Sequence, residues 1–168
     1  MSDGYDIVPL RSDEGALLQR LRVAALTESP DAFSPTAAEA RSHDAAYWQR
    51  AAERAAANAD FELFTVRMNG DGVGLASAQR DAAGVGHIGA MWVDPCLRGR
   101  GAGARLFDTA VAFLRARGCN EIHLSVTETN VAAIALYQSR GFALTGESEP
   151  LRAESALRNL MMRWQARK

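Results

Sequence analysis

The stretch MWVDPCLRGRGAGARLF, residues 91–107, constrains this chain more than any other. An apolar, strand-like run enters it and an apolar, helix-like run leaves it. Between them, Arg98, Arg100 and Arg105 alternate with Gly99, Gly101 and Gly103. The run GAGARLFDTAVAFLRARG sets Leu106, Phe107, Ala110, Val111, Phe113 and Leu114 on one helical face, and Gly118 stands where a helix-ending glycine belongs. The alternating segment EIHLSVTE follows and reads as a strand. A β-α-β passage of this kind requires a parallel strand pair joined by a right-handed crossover.

The segments around it extend the pattern. YDIVPLR reads as a first strand. SDEGALLQRLRVAAL reads as a helix with Ser12 as N-cap, because Leu17, Leu18, Leu21 and Ala25 recur at helical spacing. TESPDAFSP carries two prolines and must be a loop. TAAEARSHDAAYWQRAAERAAAN reads as one alanine-rich helix, with Thr36 and Glu39 spaced as a capping box. FELFTVRM, GVGLASAQR and GHIGAMWV form an expected antiparallel meander, turned at Asn69–Gly72 and Asp81–Gly84. NVAAIALYQSRG is a short helix capped by Asn130 and ended by Gly141, and FALTGESEP and ALRNLMMRW are final strands. The fold class is therefore α/β of the α+β kind. A mixed, mostly antiparallel central sheet of about seven strands carries flanking helices in the order β-α-α-β-β-β-α-β-α-β-β. No linker, repeat or low-complexity tract interrupts it, so residues 1–168 are expected to be a single domain.

Composition narrows the function. Net charge is −1, so no global field recruits nucleic acid or anionic membrane, and anion binding must be local. Lys168 is the only lysine, which removes Schiff-base and lysine-base chemistry. Cys96 and Cys119 lack CxxC spacing and read as free thiols in a reducing cytoplasm; no run is long enough to span a membrane. His43, His87 and His123 belong to no metal-like grouping, so no metal is expected. The apolar residues of ALRNLMMRW leave a homodimer as an arrangement to test.

A helix N-terminus exposes unpaired N–H groups, glycine lets a ligand approach that backbone closely, and arginine adds bidentate charge. RGRGAG thus reads either as a phosphate cradle or as a tight turn with solvated arginines. A P-loop reading lacks its Lys-Ser/Thr pair. A dinucleotide fingerprint finds Gly101 and Gly103 but meets Leu106 at its third glycine, and the candidate ribose acid, Glu121, begins its strand instead of ending it.

A second cluster, TETNVAAIALYQSRGF (127–142), bears on the choice. Arg98, Gly101 and Gly103 match an (Arg/Gln)-x-x-Gly-x-(Gly/Ala) loop. Asn130, Ala133, Leu136, Tyr137, Gly141 and Phe142 match Asn-x-x-Ala-x-x-Leu-Tyr-x-x-x-Gly-Phe. Together with the element order, these resemble the GNAT N-acetyltransferase superfamily, specifically over about residues 60–145, as in small bacterial members.

The resemblance implies an acetyl-CoA-dependent transfer of an acetyl group directly to a primary amine of a small molecule or peptide. The alternative is a non-catalytic acyl-CoA binding module. The implied pyrophosphate site is the amides from Arg98 to Ala104, that is Arg98, Gly99, Arg100, Gly101, Ala102, Gly103 and Ala104. Met91, Trp92 and Val93 would lend backbone to the pantetheine arm in a gap between the fourth and fifth strands. Asn130 would help hold that arm, and Arg140 would reach a CoA phosphate. Tyr137 takes the family's general-acid position. His87 stands near the place where some members carry a glutamate base, and histidine's ordinary pKa near ~6.5 suits that role; a water chain would serve as well. Phe33, Tyr47 and Trp48 would cover the acceptor side, with Glu28, Asp31 and Glu128 as carboxylates near it.

Overall fold

The computed structural model describes residues 4–167. Seven strands form one mixed sheet: β1 (Asp6–Pro9), β2 (Phe61–Met68), β3 (Asp71–Arg80), β4 (Gly86–Val93), β5 (Glu121–Thr127), β6 (Ala143–Pro150) and β7 (Arg158–Gln165), in the spatial order β1-β2-β3-β4-β5-β7-β6. Only the β4–β5 pair is parallel. The helices are α1 (Gly15–Glu28), α2 (Ala37–Ser42), α3 (Ala45–Ala57), α4 (Ala102–Ala116) and α5 (Val131–Ser139).

Alternation along the strands divides the interior between the two sheet faces. On β2, Phe64 and Val66 join the cluster containing Leu106, Phe107 and Leu114 of α4, whereas Leu63 joins Leu18 and Leu21 of α1 and Trp48 of α3. Leu106, Phe107, Ala110 and Leu114 are fully buried, as the helical spacing requires.

Two expectations from sequence change. The alanine-rich segment is two helices. The Thr36–Glu39 capping box is present, but His43 is extended (φ −82°, ψ 138°) and Asp44 starts a second helix by accepting from the Tyr47 N–H at 2.8 Å. Ser42 Oγ donates to the Glu39 carbonyl at 2.6 Å, and serine and aspartate compete with helical hydrogen bonding in this way. His43 therefore lies at the break, stacked on Tyr47 at 3.8 Å, instead of on a helix flank. Ser12 does not cap α1. That helix starts at Gly15, where an added Cβ would stand 2.5 Å from the Gln49 backbone, so glycine permits the close crossing of α1 and α3.

The apolar residues of ALRNLMMRW are partly used within the chain. β7 lies between β5 and β6, Met162 is fully buried, and Trp164 takes the Arg115 guanidinium over its ring at 5.4 Å. Among the described residues, no helix is long and apolar enough to cross a membrane, and no group of three His, Cys, Asp or Glu could hold a metal ion.

Candidate active site

The site begins with an irregularity in β4. Leu75 of β3 faces Trp92, but Ser77 faces Gly89, so β4 carries one extra residue at this point. Ala90 takes a left-handed conformation there (φ 53°). Such a bulge leaves backbone groups outside the ladder and bends the strand. It also shifts the alternation. Ile88 and Val93 both face the α4 side, and Trp92 turns to the α1–α3 side. The parallel pairing of β4 with β5 consists of Gly86 with Ile122 and His87 with His123, and it stops there. Beyond it, the two strands diverge toward their C-terminal ends.

The glycine-arginine loop closes one end of this gap. Gly99 and Gly101 are both left-handed (φ 75° and 80°), and Gly101 is the N-cap of α4. The Arg98 and Arg100 N–H groups are engaged by the carbonyls of Pro95 and Leu97, at 3.2 and 3.3 Å. The N–H groups of Gly99, Gly101, Ala102, Gly103 and Ala104 have no backbone acceptor among the described residues, whereas Arg105 resumes helical bonding to Gly101. The cradle therefore consists of these amides and the α4 dipole, a set that suits a phosphate.

Arg98 has a different task from phosphate binding. Its Nε donates to the Val93 carbonyl at 3.1 Å, and Nη1 and Nη2 donate to Glu28 at 3.0 and 2.6 Å. Trp92 Nε1 donates to the same carboxylate at 3.0 Å. The Arg98 guanidinium, above all, holds the Glu28 carboxyl down at about 2. Glu28 is thus a strut between α1, β4 and the loop, and is not a lure for a cationic acceptor.

Two recesses occupy the gap. A groove of about 350 Å3 is lined by Met91, Trp92, Val93, Arg98, Gly99, Gly101, Gly103 and Ala104, and across from them by Asn130, Ala133, Leu136 and Tyr137. A cavity of about 190 Å3 lies on the other side, bounded by Arg22, by Phe33 and Ser34 of the loop before α2, by Ile88–Met91, by Leu124–Val126 and by Asn159. Met91, Asn130 and Tyr137 line both. Asn130 caps α5 by accepting from the Ala133 N–H at 3.3 Å, which leaves its amide NH2 available at the junction.

Tyr137 is held by its ring, which packs on Phe107 at 4.7 Å. Desolvation pushes its phenol up to about 12. The hydroxyl therefore stays protonated at neutral pH and acts as a donor.

Two expected site residues stand elsewhere. His87 is at the closed end of the β4–β5 pair, with Nε2 2.8 Å from Asp81 Oδ2 and its ring 5.8 Å from that of His123. It lines neither recess, because parallel pairing shuts the sheet at that point. Arg140 donates to Asp108 at 3.1 and 3.2 Å and is absent from the groove lining. Conversely, Arg22, Ser125 and Asn159 reach the cavity without having been expected there.

The comparisons agree with this architecture. Over 82 residues the chain is 43% identical to a mycothiol acetyltransferase of Beutenbergia cavernae, a match covering 48% of this chain and 28% of that protein. Over 85 residues it is 40% identical to an acetyltransferase of Pectobacterium atrosepticum, covering 48% and 57%. Both matches thus take in less than two thirds of the relative's length. Among solved structures, a GNAT-family acetyltransferase from Streptococcus pneumoniae superposes with a TM-score of 0.83 at 18% identity, covering 97% of this chain and 99% of that one. A Salmonella typhimurium protein solved with its cofactor acetyl-CoA superposes with a TM-score of 0.78 at 18% identity, covering 98% and 95%. The family model for the acetyltransferase (GNAT) family matches residues 23–142. With that model spanning most of its length, the chain belongs to the GNAT acetyltransferase family.

Proposed function

We propose that this protein is an acetyl-CoA-dependent N-acetyltransferase, formed by one domain over residues 1–168, that moves the acetyl group directly to a primary amine. The observation that carries the reading is the meeting of groove and cavity at Met91, Asn130 and Tyr137. A donor in the groove and an acceptor in the cavity would present their reacting atoms to each other there. The free amides of Gly99, Gly101, Ala102, Gly103 and Ala104 would take the pyrophosphate. The bulged backbone of Met91–Val93 and the amide of Asn130 would take the pantetheine arm.

In the reaction, the neutral amine nitrogen attacks the thioester carbonyl and forms the C–N bond. The C–S bond breaks, the nitrogen loses a proton, and the sulfur leaves as thiolate. Tyr137 donates a hydrogen bond to the charge that develops on sulfur. No histidine or carboxylate is among the residues lining the cavity, so water accepts the proton from nitrogen.

The test is calorimetric titration with acetyl-CoA, followed by thiol release against a panel of amines. Binding with thiol release supports the enzyme. Binding without release for any amine would support the non-catalytic module instead, and absence of binding would refute the cradle.

A further inference from the structure

The cavity holds one fixed charge. Arg22 of α1 lines it, with its guanidinium carbon 5.5 Å from the centroid of the Phe33 ring. The guanidinium makes no ion pair and no hydrogen bond among the described residues, and Nη1 is closed off from solvent. Burial lowers its pKa from the usual arginine value, with Tyr47 opposing, but a guanidinium keeps its proton in proteins. Tyr137 is the only other ionisable side chain in the lining. The remaining polar groups are neutral: Ser34, Ser125, Asn130 and Asn159.

A half-buried guanidinium with Nη1 shut off from water and unbonded is unfavourable, and such an arrangement persists where something else completes it. The planar fork of donors on a guanidinium matches a carboxylate in bidentate fashion. The same charge repels an acceptor whose only ionic group is ammonium. The volume sets a further limit. At about 190 Å3, the cavity exceeds the ~150 Å3 that admits benzene, which is room for one molecule of small amino-acid size.

Resting on the acetyltransferase reading above, we propose that the acceptor is a small amine carrying its own carboxylate, a free amino acid, whose carboxylate is held by Arg22 while its nitrogen faces the thioester beside Tyr137. Polyamines, aminoglycosides and protein N-termini lack a carboxylate at that distance from the amine.

The test uses the full chain, acetyl-CoA and matched probes: the common free amino acids, their α-carboxamides, spermidine and kanamycin, with thiol release as readout. A hydrogen-bonded charge partner contributes enough that at least one acid should exceed its amide by roughly 10- to 150-fold in kcat/KM. Arg22→Gln should remove that preference, mainly by raising KM for the acid. Arg22→Lys should restore part of it. Acetyl-CoA affinity, measured by calorimetry, should be unchanged in both variants, because Arg22 is outside the groove lining. Amides that match their acids, a preference for spermidine or kanamycin, or no turnover of any amino acid by a protein that binds acetyl-CoA would each overturn the substrate class and leave the cofactor reading intact. Failure of the wild type to bind acetyl-CoA would overturn the cofactor reading and the proposal together.

Discussion

Removing the Tyr137 hydroxyl separates two roles that a buried tyrosine can play. Its phenol is pushed up to about 12 by desolvation, and an ordinary thiol lies near ~8.5. The gap is about 3.5 units, so full proton transfer to the leaving thiolate would cost about 5 kcal/mol. A hydrogen bond to the charged sulfur carries no such cost and contributes about 1.5–3 kcal/mol. Tyr137→Phe should therefore lower the acetyl-transfer rate by roughly 10- to 150-fold. The ring on Phe107 is retained, so acetyl-CoA affinity should hold. Single-turnover thiol release measures the first and calorimetry the second. An unchanged single-turnover rate would refute the role in catalysis and leave Tyr137 as packing. Stability provides a second reading. Folding raises this phenol from 10.0 to about 12, so the folded state binds its proton more tightly. That contribution is fully present below pH ~10 and is lost as pH rises through ~12. Relative to wild type, the Phe variant should gain up to about 2–3 kcal/mol across that window, as read by denaturant titration at each pH.

Other outcomes follow from the same geometry. Gly101→Asp should abolish acetyl-CoA binding in calorimetry, since φ is 80° and a carboxylate would face the phosphates; wild-type affinity would sink the cradle. Glu28→Gln should weaken acetyl-CoA binding and cost about 1 kcal/mol of stability at pH 7, a figure kept small because the carboxylate is about one third exposed. Folding lowers that carboxyl to about 2, so its contribution is present above pH ~4.5 and lost as pH falls through ~2; a stability deficit that persists at pH 2 would refute the strut. His87→Ala should leave the transfer rate and its pH profile unchanged, because His87 lines neither recess; loss of the acid-side limb together with a fall in rate would restore it as the base.

The local structure of the glycine-rich turn and of the helix that carries Tyr137 was legible in the sequence. Gly101, Gly103, Asn130 and Tyr137 lie within two short segments, and each segment is a local structure: a strand-to-helix turn and a capped helix. Local order of this kind depends on neighbours a few positions away, and a linear pattern records those. The same holds for the Thr36–Glu39 capping box and for the Asn69–Gly70 turn, where both residues take positive φ. The Ser12 cap and the continuous helix through His43 failed because each was decided by a competing local hydrogen bond. Glu14 turns back to the Arg11 N–H at 2.8 Å, and Asp44 caps a new start.

The acceptor side was decided by tertiary structure. The bulge at Ala90 is a mismatch between two strands, and strict alternation along β4 alone would have kept Ile88 and Trp92 on one face. Counting back along β4 carried His87 toward the site, but pairing with β5 closed that end. Arg22 is the clearest case. Among the described residues no carboxylate pairs with its half-buried guanidinium, and which groups meet there is a property of three-dimensional packing. The sequence by itself determined the order of the strands, the glycine-rich turn that opens α4 and the capped helix that carries Tyr137, because these rest on short-range periodicity and capping. Only the tertiary structure decided where the sheet opens and which charge waits inside, because both depend on residues far apart in the chain that packing brings together or keeps apart.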